Sequence, residues 1–324
     1  MSHIFDALQR AESESTGVES PTFALATELL QAAERKMRPT GAIAERNASA
    51  NDEQHVGVNG EQQASADSFG SSPSASFENL ERCPVLPVSI PQDSRLVSVG
   101  KEESLGAEKF RFLTVRLRQL RQSRPLKKIL ITSTIPQEGK STVAANLACT
   151  LARRKQQKTL LLEGDLRRPT VAAQFGLGRI PGLCEWLSGQ TRGINIYRLE
   201  DLGLWVLPAG AAPQNPLELM QAGKLAPLME QLEAWFDWIV IDSPPVLPLA
   251  DASLWSRLAD GIVLVTRPGV TEKQQLQRGL ASLDTKKLLG ALVNGSTDVA
   301  HSDYYQRYGP PPSTSSPEPD ASSK

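Results

Sequence analysis

KILITSTIPQEGKSTVAANLA, residues 128–148, is the stretch on which the fold turns. Positions 128–132 (KILIT) form an apolar, β-branched run, the composition of a strand buried on both faces. A turn through Pro136 and Gly139 follows, and the pattern from Lys140 onward predicts a helix over 140–154. A loop between strand and helix that ends Gly-Lys-Ser-Thr turns backbone N–H groups and a helix N-terminus toward phosphate. It adds the Lys140 ammonium and offers the Ser141 hydroxyl to Mg²⁺. The first glycine of G-x-x-x-x-G-K-[ST] is replaced by Thr134, so the tripeptide alone would also fit a helix start carrying a stray lysine.

Working outward, short apolar runs alternate with helical periods. Strands are predicted at 159–162 (TLLL), 204–207 (LWVL), 238–241 (WIVI), 262–266 (IVLVT) and 289–293 (LGALV), and further helices at 107–122, 217–235, 249–258 and 271–283. Such alternation predicts an α/β domain, a doubly wound and mostly parallel sheet flanked by helices. Two strand ends carry acids: 159–162 runs into EGDLRRP (163–169) and 238–241 into DSPP (242–245). Ligands of doubly wound sheets bind at the carboxyl ends of strands, so the phosphate loop, Glu163, Asp165 and Asp242 should converge on one crevice. Phosphoryl transfer needs that set: acids to hold a metal ion and an acid to take a proton from the attacking hydroxyl.

The remainder of the 324 residues sets bounds. With 40% hydrophobic residues the chain can build a sizeable core. Lys+Arg 35 against Asp+Glu 36 removes the global basic field of a nucleic-acid-coating protein. That balance is a cancellation, because 1–90 hold 13 acidic and 6 basic residues, 101–130 hold 3 and 9, and 131–324 hold 19 of each. No apolar run approaches the roughly 18 residues that cross a bilayer. The start, MSHIFDALQRAESES, lacks a secretory pattern, so a soluble, cytoplasmic chain is expected. Cys83, Cys149 and Cys184 show no metal or disulfide spacing. The expected division is a mostly disordered arm over 1–90 with short helical segments, one near Ile4, Phe5 and Leu8 and one over 23–37. A domain over 91–298 and a flexible tail over 299–324 complete it.

Five segments in order, 129–148, 159–169, LWVLPAGAAPQNPLEL (204–219), FDWIVIDSPPVLPLADA (236–252) and ADGIVLVTRPGVT (259–271), resemble the cytoplasmic kinase domain of the bacterial tyrosine kinases of capsular and exopolysaccharide synthesis. The resemblance spans roughly 96–308. It implies a P-loop NTPase fold using ATP and Mg²⁺, with Walker A, A′ and B motifs at the three places already singled out. Carried over by position, Gln137, Glu138, Gly139, Lys140, Ser141 and Thr142 cradle the nucleotide. Lys140 meets the β/γ phosphates, Ser141 binds Mg²⁺ and Thr142 lies near the α-phosphate. Asp165 and Asp242 serve the metal, Glu163 takes the place of the acid that activates the tyrosine hydroxyl, and Asn294 falls near the adenine. Two positions depart from the family pattern: Glu163 stands where Asp is usual, and Gln137 where the loop commonly has Gly.

The resemblance also implies an assembly. Glu108 and Arg111, an i,i+3 pair on the helix over 107–122, match two members of a subunit-joining E-x-x-R-x-x-R motif whose third place is Thr114. A solvated basic face is the structural alternative. Tyr304, Tyr305 and Tyr308 match a tail cluster phosphorylated between the subunits of a ring, where added charge would favour dissociation. The partners implied are a membrane chain-length or co-polymerase activator acting in trans, a protein-tyrosine phosphatase and further copies of the chain, with no nucleic acid. Such a kinase would be held peripherally at the inner face of the plasma membrane. Two other readings stay open at this point, a MinD/ParA-type ATPase, against which Ile135 stands in place of the second loop lysine, and a nucleotide-binding scaffold without transfer activity.

Overall fold

In the computed structural model, which describes residues 80, 82–100, 104–247 and 249–295, strands and helices alternate as the sequence pattern requires. The chain order is β1 (Val85–Leu86), α1 (Leu105–Ser123), β2 (Lys128–Ser133), α2 (Lys140–Ala152), β3 (Thr159–Glu163), α3 (Val171–Gln174), α4 (Leu183–Leu187) and β4 (Tyr197–Leu199). After a 3-10 turn come β5 (Leu204–Leu207), α5 (Pro216–Gln221), α6 (Leu225–Trp235), β6 (Trp238–Asp242), α7 (Asp251–Leu258), β7 (Gly261–Thr266), α8 (Lys273–Ala281) and β8 (Leu288–Val293).

The sheet runs β1-β4-β5-β3-β6-β2-β7-β8. Every adjacent pair is parallel except β4 with β5. β2, β3, β6 and β7 are buried along their whole length, which is why they read as unbroken apolar runs. Alternate residues feed two apolar layers. Ile129, Ile131, Leu161 and Val240 pack with Val143, Leu147 and Leu151 of α2 and Leu117 of α1, while Leu130, Leu160, Leu162, Ile239 and Ile241 pack with Leu228 and Leu232 of α6 and Trp255 of α7. On α1, Leu117 is buried and Phe110, Leu113 and Leu120 lean on the core, so the predicted apolar face is the one that docks.

Three features differ from the sequence reading, one being the short helices α3 and α4, of four and five residues, which were not expected. The predicted helix over 217–235 is two helices, α5 and α6, separated at residues 222–224 around Gly223, the poorest helix former after proline. The short strands β1, at the sheet edge, and β4, between β1 and β5, were not expected, being two and three residues long and too short to show a period. β1 lies within 1–90, so the tail end of the stretch read as an arm joins the sheet. The helical segments expected near Ile4 and over 23–37, and the tail tyrosines, lie outside the described residues.

Among the described residues no helix is long and apolar enough to cross a membrane.

Candidate active site

β2 and α2 form the central strand-loop-helix unit. Gly139 caps α2 at φ +92, a left-handed turn, and a Cβ there would collide with Asn294 Nδ2. Gln137 also lies in the left-handed region, at φ +69, and is the only such non-glycine residue described. The loop is braced from within. The Glu138 carboxylate, fully buried, accepts from Ile135 N at 2.7 Å and from the Thr271 hydroxyl, while the Glu138 carbonyl accepts from Asn294 Nδ2 at 2.9 Å. Glu138 thus contributes as a brace as well as through its backbone, and Asn294 holds the loop from β8's end. Ser141 and Thr142 open α2, with Lys140 Nζ donating to Ser141 Oγ at 3.2 Å.

Parallel register carries the acids to this loop. β3 pairs with β6 so that Glu163 sits beside Asp242, and β6 pairs with β2 so that Asp242 sits beside Ile131. Lys140 Nζ lies 2.9 Å from Asp165 Oδ2 and 4.0 Å from Asp242 Oδ1. Burial disfavours its ammonium, but Asp242, Asp165 and Glu163 outweigh that and hold its pKa above the ordinary lysine value. Asp242 is fully buried; neither carboxylate oxygen receives a hydrogen bond of full geometry, and the Lys140 charge and the Ser141 hydroxyl are what favour its ionised form. Burial pushes its pKa up to about 7 despite the Lys140 charge. Two buried oxygens short of full hydrogen bonds are a standing cost that a cation would relieve, so Asp242 with Asp165 and the Ser141 hydroxyl suits a hard divalent ion such as Mg²⁺.

The structure therefore brings Gln137, Glu138, Gly139, Lys140, Ser141, Thr142, Asp165, Asp242 and Asn294 to one place. Glu163 is there too, but its side chain is engaged elsewhere: Oε1 accepts from the backbone N–H of Thr170 and of Val171, the latter at 2.6 Å, and Oε2 from Ala209 N at 2.9 Å. Burial raises its pKa against those three bonds. Glu108 and Arg111 form an ion pair on α1, whereas Thr114 is buried and donates to the Arg111 carbonyl, so that position faces inward.

Several residues that shape the site escaped the sequence reading. Gly164 N donates to the Asp242 carbonyl at 2.7 Å, and Trp255 Nε1 donates to the Gly164 carbonyl at 3.0 Å, so β3's exit is pressed between β6 and α7. Arg167 makes a bidentate pair with the buried Asp251, fixing the loop that follows Asp165. The glycine between two acids was the available signal for the first; Asp251 and Thr271 lie within the family-like segments 236–252 and 259–271, which mark the stretch but not the role of either residue.

The chain is 36% identical over 214 residues to tyrosine-protein kinase YwqD of Bacillus subtilis, an alignment covering 64% of this chain and 89% of that one. The crystal structure of the chimerical protein CapA2B2 superposes with a TM-score of 0.58 at 32% identity, over 68% of this chain and 98% of that one. The kinase domain of the Escherichia coli tyrosine kinase ETK gives 0.57 at 25% identity, over 70% and 95%. No protein-family model matches the chain. Identity at this level over most of the relative's length, on the same mostly parallel sheet, settles the kinship: the chain belongs to the bacterial tyrosine-protein kinase family.

Proposed function

We propose that this kinase is an ATP- and Mg²⁺-dependent protein-tyrosine autokinase of exopolysaccharide or capsule synthesis and export, which phosphorylates Tyr304, Tyr305 and Tyr308 between subunits. The observation that carries the reading is the meeting of Lys140, Asp165 and Asp242 at the carboxyl ends of adjacent parallel strands, with the Asp242 carboxylate buried and short of full hydrogen bonds. Phosphoryl transfer passes through a loose transition state, so catalysis is mostly placement and charge. The N-terminal amides of α2 and the Lys140 ammonium would hold the nucleotide's phosphates, and Ser141, Asp165 and Asp242 the metal. Bound Mg²⁺ would offset the phosphate charge. Thr142 would serve the α-phosphate and Asn294 the base.

The division proposed is an arm up to the sheet-edge strand β1, the kinase domain to about 298, and a tail bearing the acceptor tyrosines from 299. Exchange of tails requires copies of the chain in a ring, and the Glu108–Arg111 pair on α1 is the proposed contact. A membrane-embedded activator in trans would hold the kinase at the inner face of the membrane, and a tyrosine phosphatase would reset the tail.

The test is direct. The purified chain, with ATP and Mg²⁺ and with or without a candidate activator segment, is digested and analysed by mass spectrometry. Phosphate on Tyr304, Tyr305 or Tyr308 that disappears in Lys140→Met is expected. Unmodified tyrosines under every condition, alongside measurable ATP hydrolysis, would return the reading to a non-transferring ATPase.

A further inference from the structure

Glu163 occupies the place from which the family resemblance draws a proton acceptor, yet its carboxylate is committed to the backbone. The residue is 1% exposed. Its two oxygens accept three N–H bonds from two separate segments: Thr170 and Val171 at the start of α3, and Ala209 in the loop leaving β5. A carboxylate presents about four lone-pair sites, and three are filled by donors that cannot move without unfolding a loop. Its neighbours are placed by the same contacts. Gly164 is held to the Asp242 carbonyl, and Asp165 lies two residues past Glu163 on the short loop that the Thr170 and Val171 bonds close. The loop after β5 leads on from Ala209 to Gly210 and Ala211, where Glu185 accepts from Ala211 N at 2.9 Å.

We infer that Glu163 is a positioning residue, a clamp that ties the exit of β3 to the start of α3 and the exit of β5 and so fixes Asp165 against Lys140, and that it does not take the tyrosine proton. The extra methylene relative to aspartate is what lets one side chain span these segments. An aspartate at 163, anchored at the same Cα, falls short of at least one of them. The inference rests on the kinase reading above only for the chemistry it denies to Glu163; the clamp itself stands on the hydrogen bonds.

The two roles order the variants oppositely. Glu163→Gln keeps the length and an acceptor oxygen for Thr170 and Val171, and gives up the Ala209 bond. Glu163→Asp keeps the charge and loses the reach. For a clamp, Glu163→Gln retains kcat to within about tenfold, the weight of one hydrogen bond, while Glu163→Asp is the poorer enzyme and raises KM for ATP. For a proton acceptor, Glu163→Gln loses about 100-fold or more in kcat and Glu163→Asp stays close to native; that order would overturn the inference.

Amide hydrogen exchange gives a readout independent of turnover. In the clamp, Glu163→Asp speeds exchange at Thr170, Val171 or Ala209 and weakens the binding of ADP with Mg²⁺, whereas Glu163→Gln speeds it at Ala209 alone. Native-like exchange at all three amides in both variants overturns it. If the native chain forms no phosphotyrosine, the kinase reading fails by itself, and exchange with ADP titration still decides for or against the clamp.

Discussion

Lys140 Nζ lies 2.9 Å from Asp165 Oδ2, so the loop's cation is neutralised by an acid that follows β3, the strand beyond β6 in the sheet. The pair is buried, with side-chain exposures of 12% and 5%, and Asp242 stands behind it at 4.0 Å from the same nitrogen. An ammonium held this way is pre-positioned: a phosphate needs only to compete for it, and the released acids then face the metal side of the cleft. The same arrangement makes the fold depend on the charge.

Lys140→Met should therefore do two things. It should abolish tyrosine labelling through loss of phosphate binding, and it should lower stability on the order of 3 kcal/mol, because buried acids lose their counter-charge. The double variant Lys140→Met with Asp242→Asn should recover part of that loss, since a neutral amide at position 242 needs no cation. Urea unfolding of the native, single and double variants measures this. Strict additivity of the two substitutions would show that Lys140 and Asp242 do not interact energetically.

Asp242 predicts a pH dependence of opposite sign to ordinary acid denaturation. Its carboxyl titrates near 3.8 when unfolded and at about 7 when folded, because burial outweighs Lys140. Between those values the folded chain holds a proton that the unfolded chain has released, so the stability of ligand-free protein falls as pH rises from about 4 to about 7. Glu163 is shifted in the same direction, also by burial, and adds to the slope. Unfolding free energies at about pH 5 and about pH 7.5 should differ in that sense for the native chain and much less for Asp242→Asn. An equal slope in both proteins would place the titration elsewhere.

How far the sequence carried this site depends on the kind of information each residue holds. Strands β2, β3, β6 and β7 were legible because burial on both faces demands consecutive apolar side chains. Lys140, Asp165 and Asp242 were legible because each sits where such a strand ends, and parallel packing sends all those ends to one edge. What hid was whatever depends on a partner distant in sequence. Glu163 reads as one more strand-end acid until Ala209, 46 residues on, is seen to claim it. Thr271 braces Glu138 across 133 residues, and no local pattern announces that bond. β1 and β4 hid for a different reason, since strands of two or three residues show no periodicity.

Gly164 separates the two acids of β3's exit and admits no side chain. A Cβ there would stand 2.6 Å from the Trp255 ring and 3.0 Å from the Asp242 carbonyl oxygen. Gly164→Ala should cost about 1–3 kcal/mol by overpacking and shift Trp255 fluorescence, because the indole N–H bond to Gly164 O must lengthen. It should also weaken nucleotide binding by displacing Asp165. Trimming the ring in Gly164→Ala/Trp255→Phe should recover binding better than stability, as phenylalanine opens space but donates no hydrogen bond. Normal ADP affinity in Gly164→Ala would show that Asp165 does not depend on this packing.

Gln137 holds a left-handed backbone, φ +69, at the tip of the phosphate loop, a conformation that costs a side-chain-bearing residue roughly 1 kcal/mol. The loop keeps it because Glu138, the next residue, is locked by Ile135 and Thr271 on one side and by Asn294 on the other. Strain stored under such a brace is released by residues that accept positive φ and increased by those that resist it. Nucleotide affinity and melting temperature should accordingly rank Gln137→Gly and Gln137→Asn at or above native, with Gln137→Val clearly below. The gain from glycine should stay under about 1 kcal/mol, because glycine also adds entropy to the unfolded chain. The Gln137 side chain is exposed, so contact loss should add little to these changes. A melting temperature for Gln137→Val equal to native would mean that the loop relaxes out of the left-handed region in solution, and the brace around Glu138 would then have to be looser than its three hydrogen bonds imply.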